Sequence, residues 1–202
     1  MKKNKKGDCI KIGVLGGTFD PPHKGHLYIS LEAKKIFQLN EIWWLVTPQN
    51  PLKIPKAATY KERVTNCKKI SKGKPIIIKE IEKKIDSKYT YQTLYYLQSH
   101  YSNIKFFWLM GADNLINFHK WQKWQKIFKE ISIVVFKRHG YNNKALRSIA
   151  NKTFSNSQII SNTLNKNQFN KLPSLAWINN KEIKISSTEI RQQRLILRGK
   201  NN

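Results

Sequence analysis

Short continuous apolar runs alternate along this chain with segments whose apolar residues recur at helical spacing. That alternation predicts an α/β protein with a mainly parallel sheet covered by helices. Ile10–Leu15 reads as a first strand, and Ile29, Ala33, Ile36 and Phe37 mark a first helix over His26 to Leu39. Ile42–Val46 reads as a second strand, followed by a loop, TPQNPLKIPK, whose three prolines exclude regular structure. A helix is expected over Lys61 to Ser71, a short strand over Pro75–Lys79, and a helix over Thr90 to Tyr101, where Thr93, Leu94 and Leu97 share a face. Ile104–Met110 and Ile131–Phe136 are the plainest later strands. The polar, asparagine-rich stretch from Asn142 to Asn170 is expected to hold a helix near Lys144–Ala150, then a loop and a short strand. Leu175–Ile178 reads as a last strand and Ser187 to Leu197 as a last helix with a Ser or Thr cap.

Neither a long repeat nor a linker interrupts this order, so residues 1–202 are expected to form one domain, with residues 1–8 a basic, flexible N-terminal segment. The chain is 40% hydrophobic and 11% aromatic, which argues against disorder. No apolar stretch reaches the length of a membrane span, and Lys11 interrupts the run that superficially suggests a signal peptide. Two cysteines, Cys9 and Cys67, are too few for a disulfide scaffold and lack metal-ligand spacing. A cytoplasmic protein without a membrane partner is the expectation.

Charge changes the picture less than its size suggests. The chain carries 38 Lys+Arg against 12 Asp+Glu, a formal net charge of +26. Such a field suits a nucleic-acid binder. The lysines are nevertheless spread over the whole chain, with no arginine-rich helix, and Asn, Ile and Tyr are abundant beside them. A general surface bias explains this better, and no specific nucleic-acid partner is expected. A positive surface also attracts anionic nucleotides.

The chemistry concentrates in GGTFDPPHKGHL, residues 16–27. It follows the first strand and leads into the first helix, the place where α/β sheets bind ligands. Gly16 and Gly17 let backbone approach a ligand, while Asp20, Pro21 and Pro22 fix a turn no helix continues. His23 and His26 stand three apart at the helix start and share one face beside its unpaired amides. Imidazole N–H groups and a helix N-terminus together hold negative oxygens, so the segment is suited to a polyphosphate. No convincing Ser-His-Asp set and no cysteine near the motif support a covalent nucleophile.

GGTFDPPHKGHL resembles the signature of the HxGH nucleotidyltransferases, in the form carried by bacterial nicotinate-nucleotide adenylyltransferases. PQNPLK at 48–53, SKYTYQTL at 87–94, LMGADNLINFHKW at 109–121 and ISSTEIR at 185–191 are similar, in order, to further blocks of that family. The resemblance implies a Rossmann-like, doubly wound fold with helices on both sheet faces. It implies adenylyl transfer from ATP to nicotinate mononucleotide, giving nicotinate adenine dinucleotide and pyrophosphate. It also implies magnesium (Mg²⁺) bound mainly through ATP phosphates, with no protein metal site.

Carried over by position, Gly16, Gly17, Thr18, Phe19, Gly111, Asp113, Ser187 and Thr188 would line the ATP site. His23, His26 and Arg191 would bind phosphates and stabilise the leaving pyrophosphate. Lys53, Tyr89, Thr90, Trp121 and Arg138 would take the nicotinate nucleotide. Trp121 matches the ring-stacking tryptophan, and Trp124, near the same face of one helix, is the alternative. Thr90 can serve a carboxylate or an amide, so the residues leave the acid-versus-amide choice open. Arg138-His139-Gly140 departs from the family's Arg-Pro-Gly. A homo-oligomer also stays open.

Overall fold

A computed structural model describes residues 9–48, 58–160, 172–182 and 184–199. Seven strands join one sheet: β1 (Ile10–Gly17), β2 (Glu41–Val46), β3 (Ile76–Lys79), β4 (Ile104–Gly111), β5 (Ser132–Phe136), β6 (Gln158–Ile160) and β7 (Leu175–Ile178). Their order is β3-β2-β1-β4-β5-β7-β6, and every pairing is parallel. The nine helices of the described residues are α1 (Lys24–Phe37), α2 (Tyr60–Ser71), α3 (Ile81–Lys84), α4 (Thr90–His100), α5 (Ala112–Ile116), α6 (Trp124–Glu130), α7 (Asn142–Leu146), α8 (Ile149–Thr153) and α9 (Ser187–Gly199).

The strands are mostly apolar because both sheet faces are covered, with Lys11, Glu41, Lys79, Lys105, Ser132 and Gln158 at or near their ends. Side-chain alternation sends Ile12, Val14, Trp43, Leu45, Phe106, Trp108, Met110, Ile133 and Val135 to one buried cluster. Leu15, Ile42, Trp44, Phe107, Leu109, Val134 and Phe136 enter the other. Ala33 and Phe37 of α1 and Val64 and Cys67 of α2 close the second cluster. Leu94 and Leu97 of α4, Leu115 of α5, and Ile127 and Phe128 of α6 close the first. This is the doubly wound arrangement.

Strand order reverses between β1 and β4, which pair from Ile10↔Ile104 to Leu15↔Leu109. A ligand crevice opens beyond the carboxyl ends of the strands at such a reversal. β1 delivers Gly16 and Gly17 there, and β4 delivers Gly111.

Several boundaries differ from the sequence reading. α1 begins at Lys24 rather than His26, because His23 itself caps the helix. It ends at Phe37, where Gln38 turns left-handed with φ 53°. The helix expected near Lys144–Ala150 is two short helices, α7 and α8, since Ser148 Oγ accepts the Asn151 amide (3.2 Å) and starts a new one. α3, α5 and α6 were not anticipated. Trp121 and Trp124 do not share a helix: Trp121 ends the turn Phe118–Lys120 with extended backbone, and Trp124 opens α6 after left-handed Lys123. Among the described residues no helix is long and apolar enough to cross a membrane.

Candidate active site

The start of α1 is built by its two histidines. His23 Nδ1 accepts the Gly25 amide (3.1 Å), and His26 Nδ1 accepts the His23 amide (3.2 Å). This is a capping box with imidazoles in place of the usual hydroxyl and carboxylate. A nitrogen that accepts a backbone N–H carries no proton, so the proton of each neutral ring sits on Nε2. The helix cap thereby fixes both tautomers and leaves Nε2–H as the ring donor. The rings lie 3.9 Å apart between centroids. Burial first, and then the nearby Arg138 charge, lowers the His23 pKa to about 4, so this ring is neutral at physiological pH.

This corrects one expectation about the helix end. The Gly25 amide is spent on His23, and the His26 amide is bonded to the His23 carbonyl (3.0 Å). The donors offered by the first turn are therefore chiefly imidazole nitrogens rather than free amides.

Packing holds these rings. Phe19, in the left-handed region with φ 49°, stacks on Trp44 (4.8 Å) and contacts His26 (4.9 Å). Trp44 Nε1 donates to Ser30 Oγ (2.8 Å), which donates to the His26 carbonyl (2.7 Å). Gly25 has no room for a side chain: a Cβ there would lie 2.9 Å from the His23 ring and 3.2 Å from Ile185 Cγ2. Gly25 thus joins the first signature to the ISSTEIR segment by close approach.

α9 docks on the same turn. Ser186 Oγ caps it by accepting the Glu189 amide (3.1 Å). Ser187 Oγ donates to the Pro21 carbonyl (2.9 Å), and Arg191 donates to the Asp20 carbonyl and stands 3.6 Å from the Asp20 carboxylate. Arg191 also donates to Thr188 Oγ1 (3.3 Å). On the other side of the turn, the Asp113 carboxylate, beside Gly111, receives Arg138 at 2.6 Å. Arg138 therefore faces Asp113, with its charge near His23. His139, the departure in that loop, stands 3.4 Å from Glu182.

Among the residues that the resemblance assigns to the acceptor, Trp121 is partly buried against the first cluster. Trp121 packs edge-on to Trp108 (6.3 Å), and the Trp108 indole fills the space beside Gly16, 2.6 Å from where a Cβ would be. Trp121 also packs on Phe118 (5.1 Å), while Trp124, partly buried against the core, packs on Phe118 and Phe154. Trp121 is the tryptophan adjoining the signature strand. Tyr89 precedes α4 and Thr90 opens it. Lys53 lies outside the described residues.

Sequence reasoning missed Glu82 and Arg63. Glu82, 6% exposed in α3, is enclosed beside the side chains of Thr47 and Thr93, and its buried Oε2 has no hydrogen-bond partner. Thr93 Oγ1 meets Ser87 Oγ (3.2 Å), which donates to the Tyr89 carbonyl (3.0 Å). The Thr47 amide in turn donates to the Gly17 carbonyl (2.9 Å). Glu82 thus lies between the Ser87–Thr93 contact and Thr47, which follows β2. One of several acids in the charged stretch KEIEKKID, it gives no sequence signal for burial.

Burial pushes the Glu82 pKa up to about 7. Its folded pKa exceeds its unfolded value, so the folded state binds more protons between about pH 4.5 and 7, and stability falls as pH rises through that window. The lowered pKa of His23 acts oppositely, removing stability as pH falls from about 6.5 towards 4. Glu82→Gln removes only the first effect. Relative to the parent, its urea-unfolding stability should gain up to about 3 kcal/mol between pH 5 and 7.5. Parallel pH profiles for the two proteins would contradict this.

All these donors suit an anion. The two carboxylates nearest the turn, Asp20 and Asp113, already face Arg191 and Arg138. Among the described residues no cluster of three His, Cys, Asp or Glu side chains could cage a metal.

Residues 14–193 match the cytidylyltransferase-like family. The chain is 44% identical over 183 residues to a probable nicotinate-nucleotide adenylyltransferase of Pelagibacter ubique, covering 90% of this chain and 92% of that protein. It is 39% identical to the corresponding protein of a Ruegeria species, covering 91% and 97%. In fold it is similar to Plasmodium falciparum nicotinic acid mononucleotide adenylyltransferase, solved complexed with NaAD, with a TM-score of 0.65 at 18% identity over 91% of this chain and 83% of that one. By these identities over most of both lengths, the chain belongs to the nicotinate-nucleotide adenylyltransferases, within the cytidylyltransferase-like family.

Proposed function

We propose that this protein transfers the adenylyl group of ATP to nicotinate mononucleotide, forming nicotinate adenine dinucleotide and pyrophosphate in NAD biosynthesis. The observation that carries the chemistry is the histidine capping box, which turns two Nε2–H donors away from the backbone at the sheet's reversal point. Family membership carries the acceptor.

An acceptor phosphate oxygen attacks the α-phosphorus of ATP in line. The new P–O bond forms as the bond from the α-phosphorus to the bridging oxygen breaks, and its electron pair leaves with pyrophosphate. The nucleophile is already ionised at neutral pH, so no general base is required. Alignment of two bound reactants contributes roughly 7–11 kcal/mol of barrier reduction. His23, His26 and Arg191 stabilise the charge gathering on the leaving group. Gly16, Gly17, Thr18, Phe19, Gly111, Asp113, Ser187 and Thr188 hold ATP; Tyr89, Thr90 and Trp121 receive the nicotinate nucleotide. Arg138, tethered by Asp113, is assigned with them to the nicotinate nucleotide.

The described side chains fit a Mg²⁺ ion that arrives on the triphosphate, because the site offers cations and N–H donors while its carboxylates are engaged by arginines. Such an ion supplies further charge neutralisation on the phosphates. A cytoplasmic setting, where ATP is abundant, belongs to the same proposal.

The test is product identification. Purified protein with ATP, Mg²⁺ and nicotinate mononucleotide should release one pyrophosphate for each dinucleotide seen by mass spectrometry. Pyrophosphate without dinucleotide, or neither, would overturn the assignment.

A further inference from the structure

Arg63, in α2, belongs to neither signature, yet it is the most thoroughly engaged cation beside the site. It is only 4% exposed. Its NH1 donates to the carbonyls of Thr18 and Thr47 (both 2.7 Å), its NH2 to that of Pro48 (2.6 Å) and its Nε to that of Ala58 (3.2 Å). These four acceptors come from the signature turn after β1, the chain leaving β2, and the approach to α2. Thr18 and Thr47 directly follow β1 and β2, and Pro48 and Ala58 lie outside the strands, so a buried cation supplies donors to the chain where it leaves the sheet.

The network continues past Arg63. The Ala58 amide donates to Asp20 Oδ1 (3.2 Å), and Asp20 is the residue that Arg191 grips through both carbonyl and carboxylate. A connected path therefore runs from α2 through Ala58 and Asp20 to α9. It encloses Thr18 and Phe19, the residues that carry the turn from β1 to the histidines. Lysine cannot replace this geometry: its ammonium is one point with three donors, whereas the guanidinium fork reaches separate segments in one plane.

We propose that Arg63 is a positioning residue for the reaction: without touching substrate, it clamps the Thr18 turn against the ends of β2 and α2 and so sets where the phosphates of ATP lie. This rests on the adenylyl-transfer reading for its kinetic consequence. It goes beyond that reading by locating the determinant of donor-site geometry in α2, outside both signatures.

The experiment compares the parent with Arg63→Lys, varying ATP and nicotinate mononucleotide separately and recording thermal melting alongside. The lysine variant should fold, with its KM for ATP raised about tenfold or more and its KM for the acceptor within about twofold of the parent. Calorimetric binding of ATP alone should weaken by a similar factor, a readout that does not depend on the acceptor. If the parent makes no dinucleotide, the functional reading fails while this binding comparison still judges the clamp. Should the lysine variant not fold, Arg63→Gln, which keeps a planar donor, takes the same measurements. Equal rises in both KM values, unchanged ATP binding with a lowered melting point, or failure of both variants to fold would each overturn the proposal and leave Arg63 a role in folding alone.

Discussion

His26→Ala should lower kcat roughly 10²–10³-fold while the sheet and its helices persist, the size of effect seen when one preorganised donor to a developing anion is removed. His26 Nδ1 is committed to the His23 amide, so the ring meets the reaction through Nε2–H. That donor gains strength as charge moves onto the leaving pyrophosphate, which places the loss in kcat more than in the KM for ATP. The substitution also removes half of the capping box and the contact with Phe19. Loss of a helix cap costs about 1 kcal/mol, enough to lower the melting temperature by a few degrees without unfolding the domain. Pyrophosphate release and thermal melting on the same sample separate the two effects. Turnover within tenfold of the parent would remove the role assigned to this histidine.

Arg191→Ala should reduce kcat/KM for ATP about 10–100-fold, the worth of a charge-assisted contact to a phosphate. Its structural effect is larger than that of His26, because Asp20 is buried with only 8% of its side chain exposed. Removing the guanidinium leaves that carboxylate with the Ala58 amide and the more distant charge of Arg63. Breaking a buried pair at one partner typically costs about 3–5 kcal/mol; the half-exposed position of Arg191 puts the expected loss towards the lower end. Adding Asp20→Asn to Arg191→Ala removes the stranded charge. The double variant should therefore recover part of the lost stability in urea unfolding and none of the lost kcat/KM. Recovery of both together would mean that Arg191 acts on ATP only by holding the turn.

The pattern of apolar runs made β1, β2, β4 and β5 readable because a parallel sheet covered on both faces keeps its central strands mostly apolar, their polar residues standing near the strand starts. It did not reveal α3, α5 or α6, whose few turns are too short to establish a period. The break between Trp121 and Trp124 falls at Lys123, a non-glycine residue in the left-handed region, for which the sequence offers no cue. The histidine pair was visible as a motif. The exchange of Nδ1 contacts that fixes its tautomers follows only once His23 is seen to cap α1. Arg63 and Glu82 were hidden for a different reason. Each is a charged residue in a lysine-rich stretch, and only the tertiary fold shows that one reaches four carbonyls and the other is enclosed by two threonines.

The Thr90 hydroxyl can donate to a carboxylate or pair with an amide, so the acceptor is where the central claim is tested. The most direct test is the rate of pyrophosphate release with ATP and Mg²⁺, comparing nicotinate mononucleotide with its nicotinamide counterpart at equal, subsaturating concentrations. The account predicts a preference for the acid of about a hundredfold or more, about 2.7 kcal/mol in transition-state terms. Equal rates, or a preference for the amide, would contradict it.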